Sequence, residues 1–295
     1  VRDRWEKDGL RLFPVFHGNR PNERVARTLR GSGRGGARFG TPRRFETVEL
    51  LRRKGLLPAI YFIFSRKGCD EAVESVVSRG LRLTSASEAA AIRTVAAANT
   101  QHLGPTDLAV IGYDRWLRGL ESGVAPHHAG LVPAMKEVVE QLFAAGLVRL
   151  VFATETLALG INMPARSVVL ESLSKFTGEG HEMLQPGDYT QLTGRAGRRG
   201  IDAAGTAVIL HSPYVEFERA AGIAGRGSHP LRSSFRPNYN MAVNLVARYD
   251  RKRAEELLAA SFAEYADQRR RSALAVDLQD DRSRLSVLRA EAEHP

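Results

Sequence analysis

Residues 191–200 read QLTGRAGRRG. Just before them, Asp188-Tyr189-Thr190-Gln191 carries an N-cap residue type with a capping-box partner three residues on, and Gly200 suits a helix stop. The spacing predicts a helix over 188–199. On it, Gln191, Gly194, Arg195 and Arg198 fall at i, i+3, i+4 and i+7, one stripe of one face. Gly194 and Gly197 keep that face low, so a second backbone or a ligand can approach closely. Two interior glycines cost a helix roughly 1 kcal/mol each relative to alanine, which suggests a function for them. Paired arginines on a low surface suit a polyphosphate, because the guanidinium stays charged and offers a planar fork of donors. A solvated basic face has the same arginine spacing, so the upstream sequence decides.

Upstream, the apolar run 148–152 leads into residues 152–165, FATETLALGINMPA. This predicts a strand, a threonine-rich turn and a short helix ending at Gly160. A second apolar run lies in residues 58–70, PAIYFIFSRKGCD, and ends in a Ser-Arg-Lys turn. Residues 124–131 read VAPHHAGL and precede an amphipathic stretch through Ala145. Strands are expected at 58–64, 124–127, 148–153, 167–171 and 205–210. Helical patterns lie between and after them, at 70–79, 86–99, 131–145 and 188–199. Such alternation implies an α/β fold, a parallel sheet with helices on both faces. Functional residues then belong in loops at the carboxyl ends of the strands. Residues 72–122 read as a helical excursion without identifiable chemistry.

Residues 152–165 and 191–200 together resemble motifs V and VI of superfamily 2 helicases. The match is to the superkiller-type DExH-box RNA helicases, including the bacterial HelY-type members. Residues 58–70 resemble the family's motif IV, and 124–131 its His-His-Ala/Ser-Gly-Leu segment. Residues 168–176 resemble its strand into a lysine-containing loop, and 231–245, LRSSFRPNYNMAVNL, its entry into a winged-helix domain. Leu192 stands where viral and DEAD-type relatives often carry arginine; the superkiller branch commonly has an apolar residue there.

The resemblance implies a RecA-like second motor lobe over 58–224, with the start of a winged-helix domain over 225–271. Residues 1–57 are then a basic flexible linker with a leading helix, and 272–295 a charged helix that starts a stalk. It also implies an ATP site shared with a first RecA-like lobe. Arg195 and Arg198 would reach the γ-phosphate, with Gln191 near the nucleotide or the attacking water. Gly160, Asn162 and Gly194 would line the nucleotide side. Ser65, Arg66, His128, Gly130 and Thr154 would follow an RNA backbone, or a DNA backbone in a repair helicase.

A motor also needs a P-loop, G-x-x-x-x-G-K-[ST], to cradle phosphates and Mg²⁺. No Gly-Lys-Ser or Gly-Lys-Thr occurs in the 295 residues. The glycine-rich stretch 31–36 lacks the lysine and reads as a linker. Asp70-Glu71-Ala72-Val73 mimics a DExx box but lies beyond the turn that follows its strand, whereas a metal-holding acid belongs at the strand tip. ATP and Mg²⁺ are therefore expected, with the Mg²⁺ held by the first lobe. The chain alone should be inactive.

Charge is uneven. Residues 1–54 hold 15 lysines and arginines against 6 acids, most of the net +10 of the chain. Such an arm can follow a phosphate backbone or simply be solvated. The single cysteine, Cys69, excludes a disulfide framework and a cysteine-rich zinc site, and fits a cytoplasmic location. Nothing reads as a membrane span or signal peptide. His127 and His128 would point to opposite faces of a strand, so no shared metal is expected. A catalytically inert RNA-binding module with the same fold remains the alternative to a motor lobe.

Overall fold

Four strands are apolar along nearly their whole length, and this sets where they lie. The structure is a computed structural model that describes residues 1–3, 9–30, 39–158, 162–176, 180–225, 235 and 238–293. In it, β1 (Ala59–Phe62), β2 (Val124–His127), β3 (Leu150–Ala153) and β4 (Ser167–Leu170) are buried at every position. Continuous apolar runs of this kind belong to parallel sheets covered on both faces. An antiparallel hairpin follows, β5 (Ser174–Phe176) with β6 (His181–Met183), and β7 (Thr206–Ile209) completes the sheet. The order is β7-β4-β1-β3-β2, with every neighbour parallel. Pro126 cannot donate to a ladder, and β2, which carries it, is an edge strand.

The helices in this part are α1 (Glu23–Arg30), α2 (Arg44–Arg53), α3 (Arg66–Ser78), α4 (Ala86–Thr100), α5 (Pro105–Val110), α6 (Tyr113–Glu121), α7 (Pro133–Ala144), α8 (Pro186–Thr193) and α9 (Phe217–Ala224). Alternate strand residues divide the core in two. Ile60, Phe62, Ala125, Val151 and Val168 pack with α4, α6 and α7. Ala59, Tyr61, Val124, Phe152 and Val169 pack on the other face with Val48 and Leu51 of α2 and with Cys69 and Val73 of α3. The helical excursion thus covers one face of the sheet. Its first helix, α4, is set by a capping box in which Glu88 N–H donates to Ser85 Oγ (3.2 Å) and Ser85 N–H to Glu88 Oε2 (2.7 Å).

Register levels the strand ends. Phe62 pairs with Ala153 and Leu170, Ala153 with His127, and Leu170 with Ile209. The loops that follow therefore share one edge. From β1 the chain runs to β2 on one side. From β3 it crosses back over β1 to β4, a reversal of the kind that opens a crevice at the carboxyl edge of α/β sheets.

Residues Val1–Gly227 form one compact unit and Ser228–Pro295 a second. The first takes in α2, because that helix buries Val48 and Leu51 and its Arg44 forks onto Glu171 at the end of β4, with both bonds 2.8 Å. The glycine-rich stretch 31–36 lies outside the described residues. Where the winged-helix start was expected, the second unit has α10 (Tyr239–Arg248) and α11 (Arg251–Ala259). They are capped by Asn238 and Asp250, whose side chains accept from the N–H of Met241 and Arg253. The long α12 (Phe262–Glu293) follows. No helix among the described residues is long and apolar enough to cross a membrane.

Candidate functional site

The loop after β1 becomes a helix start because Ser65 caps it: its Oγ accepts from Gly68 N–H at 3.1 Å. This starts α3 at Arg66, four residues before the start that periodicity predicts, and leaves Arg66 exposed at the sheet edge. After β2, the two histidines part as strand alternation requires. His127 Nε2 lies 3.0 Å from Glu140 Oε1 on α7, while His128 Nε2 lies 3.1 Å from Asp70 Oδ1 on α3. Gly130 N–H donates to His128 Nδ1 at 3.1 Å. With Nδ1 accepting, Nε2 carries the proton and donates to Asp70. His128 is only 4% exposed, so its ring serves the protein on both nitrogens. Asp70, read as a false DExx acid, is what holds it.

Gly130 leaves room for this ring and for Arg66. A Cβ there would stand 3.1 Å from His128 Nδ1 and 3.6 Å from Arg66 Cδ. Ser65, Arg66, His128 and Gly130 are thus gathered at one spot. Thr154 adjoins them, since its N–H donates to His127 O at 3.2 Å. Its hydroxyl lies 2.9 Å from that of Thr156, and the residue is nearly buried. Burial lowers the His127 pKa from its ordinary value, against the pull of Glu140.

After Thr154 the chain makes a 3₁₀ turn, Glu155–Ala158, with Leu157 and Ala158 buried. Gly160 lies outside the described residues, and Asn162 is exposed. Lys175 on β5 ties this turn to α8: its Nζ is 3.0 Å from Glu155 Oε2 and 3.5 Å from Asp188 Oδ2. Burial opposes charge on Lys175, but the two carboxylates outweigh it and its pKa rises.

The arginine segment differs from its sequence reading. The helix α8 starts at Pro186, so Asp188 is its third residue rather than its cap, accepting from Gln185 N–H at 3.4 Å. It also stops at Thr193, with Gly194 as C-cap, and 195–200 are not helical. No helical stripe joins Gln191, Arg195 and Arg198. The reason is a competing backbone pairing. Ala165 N–H donates to Arg195 O (2.9 Å) and Gly197 N–H to Ala165 O (2.7 Å), bridging the arginine turn to the end of the motif V segment. Gly197 takes φ +95° there, and a Cβ on it would lie 3.1 Å from Gly205 N. The close approach expected of this glycine is made by the chain's own backbone.

Within this turn the two arginines have different surroundings. The Arg195 guanidinium donates to Ala158 O of the 3₁₀ turn. Arg198 forks side-on onto Asp202, Nε to Oδ2 at 2.8 Å and Nη2 to Oδ1 at 3.0 Å, and its own N–H also donates to Oδ2 at 3.0 Å. The Asp202 side chain is 4% exposed, and Arg166 Nε stands 3.8 Å away. The Arg198 hydrogen bonds hold the Asp202 carboxyl down at about 2, and the same contact raises the Arg198 pKa. Gln191 and Gly194 are exposed on the last turn of α8. Sequence reasoning gives no structural role to Asp70, set aside as a DExx mimic, or to Lys175, and does not point to Asp202. For Asp202 a signal existed: an acid four residues after Arg198, just past a helix-stopping glycine.

A five-stranded parallel sheet with Ser65, Arg66, His128 and Thr154 on its carboxyl-edge loops, and an arginine turn paired with Ala165 just before β4, fits a RecA-like helicase C-terminal lobe. The model of the helicase conserved C-terminal domain matches residues 93–200. Over 236 residues the chain is 56% identical to the probable helicase HelY of Mycobacterium tuberculosis, covering 80% of this chain and 26% of HelY. It is 38% identical over 226 residues to the antiviral helicase SKI2 of Saccharomyces cerevisiae, covering 75% and 17%. To the DExH-box ATP-dependent RNA helicase DExH11 of Arabidopsis thaliana it is 39% identical over 225 residues, covering 76% and 16%. HelY and the superkiller-type DExH-box helicases are thus homologues of this chain, over three quarters or more of its residues. It spans about a quarter or less of the length of these relatives.

Proposed function

We propose that this chain is the second motor lobe of an ATP-dependent RNA helicase, completing an ATP site between two lobes and gripping the nucleic-acid backbone. The observation that carries the reading is the bridge at Ala165. It joins the arginine turn to Ala165, and the Arg195 guanidinium reaches Ala158 O in the turn after Thr154, so hydrogen bonds connect the phosphate contact at Arg198 with the strand contact at Thr154.

ATP supplies the phosphoryl bond that breaks, and the first lobe carries the P-loop and Mg²⁺. This chain contributes Arg198, charged at all working pH and with Nη1 making no hydrogen bond among the described residues. Chemistry of this donor fits an anionic phosphate oxygen. Arginine fingers in phosphoryl transfer are worth roughly 10³ to 10⁵ in rate. Arg195 binds Ala158 O and braces motif V, and Gln191, Gly194 and Asn162 are exposed. On the strand side, Ser65, Arg66, Gly130 and Thr154 offer hydroxyl, guanidinium and backbone groups suited to phosphate and sugar rather than to base edges. His128 supports that surface from below. Opening and closing of the cleft moves these contacts along the strand. The choice of RNA is supported by DExH11, whose name is that of an RNA helicase.

The test is RNA-stimulated ATP hydrolysis by this chain, alone and mixed with the first lobe of the same parent. Silence alone and activity on mixing is expected. Silence in both, with the lobes shown to associate, would favour an inert RNA-binding module. Stimulation by DNA in preference to RNA of equal length, at stated salt, would point to a repair helicase lobe.

A further inference from the structure

Arg198 is held by one edge only, and this has a consequence for its aim. A guanidinium has five N–H donors in one plane. Asp202 takes Nε–H and one Nη2 hydrogen at 2.8 and 3.0 Å, which leaves both Nη1 hydrogens and the second Nη2 hydrogen. Those three donors lie on the remaining edge and end of the same rigid plane. Two anchored bonds fix the plane's tilt and rotation, so the free edge has one direction. Asp202 is itself fixed. Its Oδ2 also accepts the backbone N–H of Arg198, its side chain is 4% exposed, and Arg166 approaches from a second direction. Arg198 is 27% exposed, so the free part of the fork is reachable from outside.

We propose that Asp202 is the positioning residue of the arginine finger: it clamps the Nε–Nη2 edge of Arg198 so that the Nη1 side is presented, already oriented, to a phosphate oxygen. This rests on the proposed shared ATP site and adds to it how the finger is aimed. Freezing a long side chain before reaction removes an ordering cost that would otherwise fall on the reaction step. The clamp therefore acts on kcat, where the finger acts, and little on ATP binding.

The experiment uses the full-length parent helicase with four forms: wild type, Asp202→Asn, Arg198→Ala and the double variant. RNA-stimulated kcat and KM for ATP, RNA affinity and the melting temperature are measured for each. Asparagine keeps the shape and one acceptor but sets an NH₂ group against one arginine donor, so the clamp opens. Asp202→Asn should lower kcat by about 10- to 100-fold, change KM less than about 3-fold and leave RNA affinity unchanged. In the Arg198→Ala background the same substitution should do nothing further to kcat, because Asp202 acts through Arg198. Equal multiplicative losses in both backgrounds would overturn the proposal, as would normal kcat in Asp202→Asn. A loss of kcat that merely follows a loss of melting temperature would assign Asp202 to the fold and overturn it too. Normal turnover in Arg198→Ala would instead sink the shared ATP site itself, so the two failures are distinct.

Discussion

Gly205→Ala is a severe test of how the arginine turn is built. A Cβ on Gly205 would stand 2.3 Å from Ala196 O, 2.4 Å from Ala196 C and 2.6 Å from Gly197 N. All three are backbone atoms, so no side chain can swing away. Ordinary contact begins near 3.4 Å, and the two segments must part by about 1 Å. Overpacking of this sort costs about 1–3 kcal/mol. The shift also strains the bridge through Ala165, two backbone hydrogen bonds of 2.9 and 2.7 Å worth about 1 kcal/mol each. Together the loss is about 2–4 kcal/mol. For a domain of this size each kcal/mol moves the melting temperature by about 2–4 °C, so a fall of about 5–15 °C is expected. Differential scanning calorimetry of this chain would read it. Gly187→Ala is the control, because a Cβ there meets nothing within 4 Å. In the full-length helicase, Gly205→Ala should also lower ATP turnover, since Arg198 follows directly on the displaced residues. A melting temperature within about 2 °C of wild type would refute the reasoning that the backbones are locked together here.

Other outcomes follow from the same contacts. Asp70→Asn should be mild, because the amide oxygen still accepts from His128 Nε2–H. Asp70→Ala should cost about 1–3 kcal/mol by stranding a buried donor. Equal losses in urea unfolding would mean that this hydrogen bond is not what Asp70 contributes. Thr154→Ala should weaken RNA binding by about 5- to 10-fold, one hydrogen bond's worth, and uncouple unwinding from hydrolysis; unchanged affinity and coupling would remove Thr154 from the strand path. His127 has a pKa lowered below its ordinary 6.5, so the folded state favours its neutral form. Stability is then full above pH 6.5 and declines as pH falls below it. His127→Gln should flatten that decline in urea midpoints taken across this range, and an unaltered slope would acquit the residue.

The strands were legible because four of them are built on apolar runs, with polar residues only at an end, His127 in β2 and Ser167 in β4. Their order was not, because inserting β3 between β1 and β2 and carrying β4 across β1 depends on pairings between residues far apart in sequence. The split of His127 from His128 was readable from strand alternation alone. The end of α8 was misread: period and composition run on to Arg199, but the pairing of Ala196 with Ala165 takes the backbone out of the helix and Gly194 and Gly197 make that inexpensive. Local propensity lost to tertiary pairing. The roles of Asp70, Lys175 and Asp202 were not legible because each acts on a protein partner rather than on an expected ligand. Only Asp202 is near enough in sequence to its arginine for spacing to have suggested it.

The central claim is that Arg198 serves ATP turnover in a site shared by two lobes. Its most direct test is Arg198→Ala in the full-length helicase, with single-turnover ATP hydrolysis and RNA binding measured on the same preparation. The account predicts a loss of turnover of about 10³-fold or more with RNA affinity within about 3-fold of wild type. Near-normal turnover, or a loss of RNA binding in proportion to the loss of turnover, would contradict it.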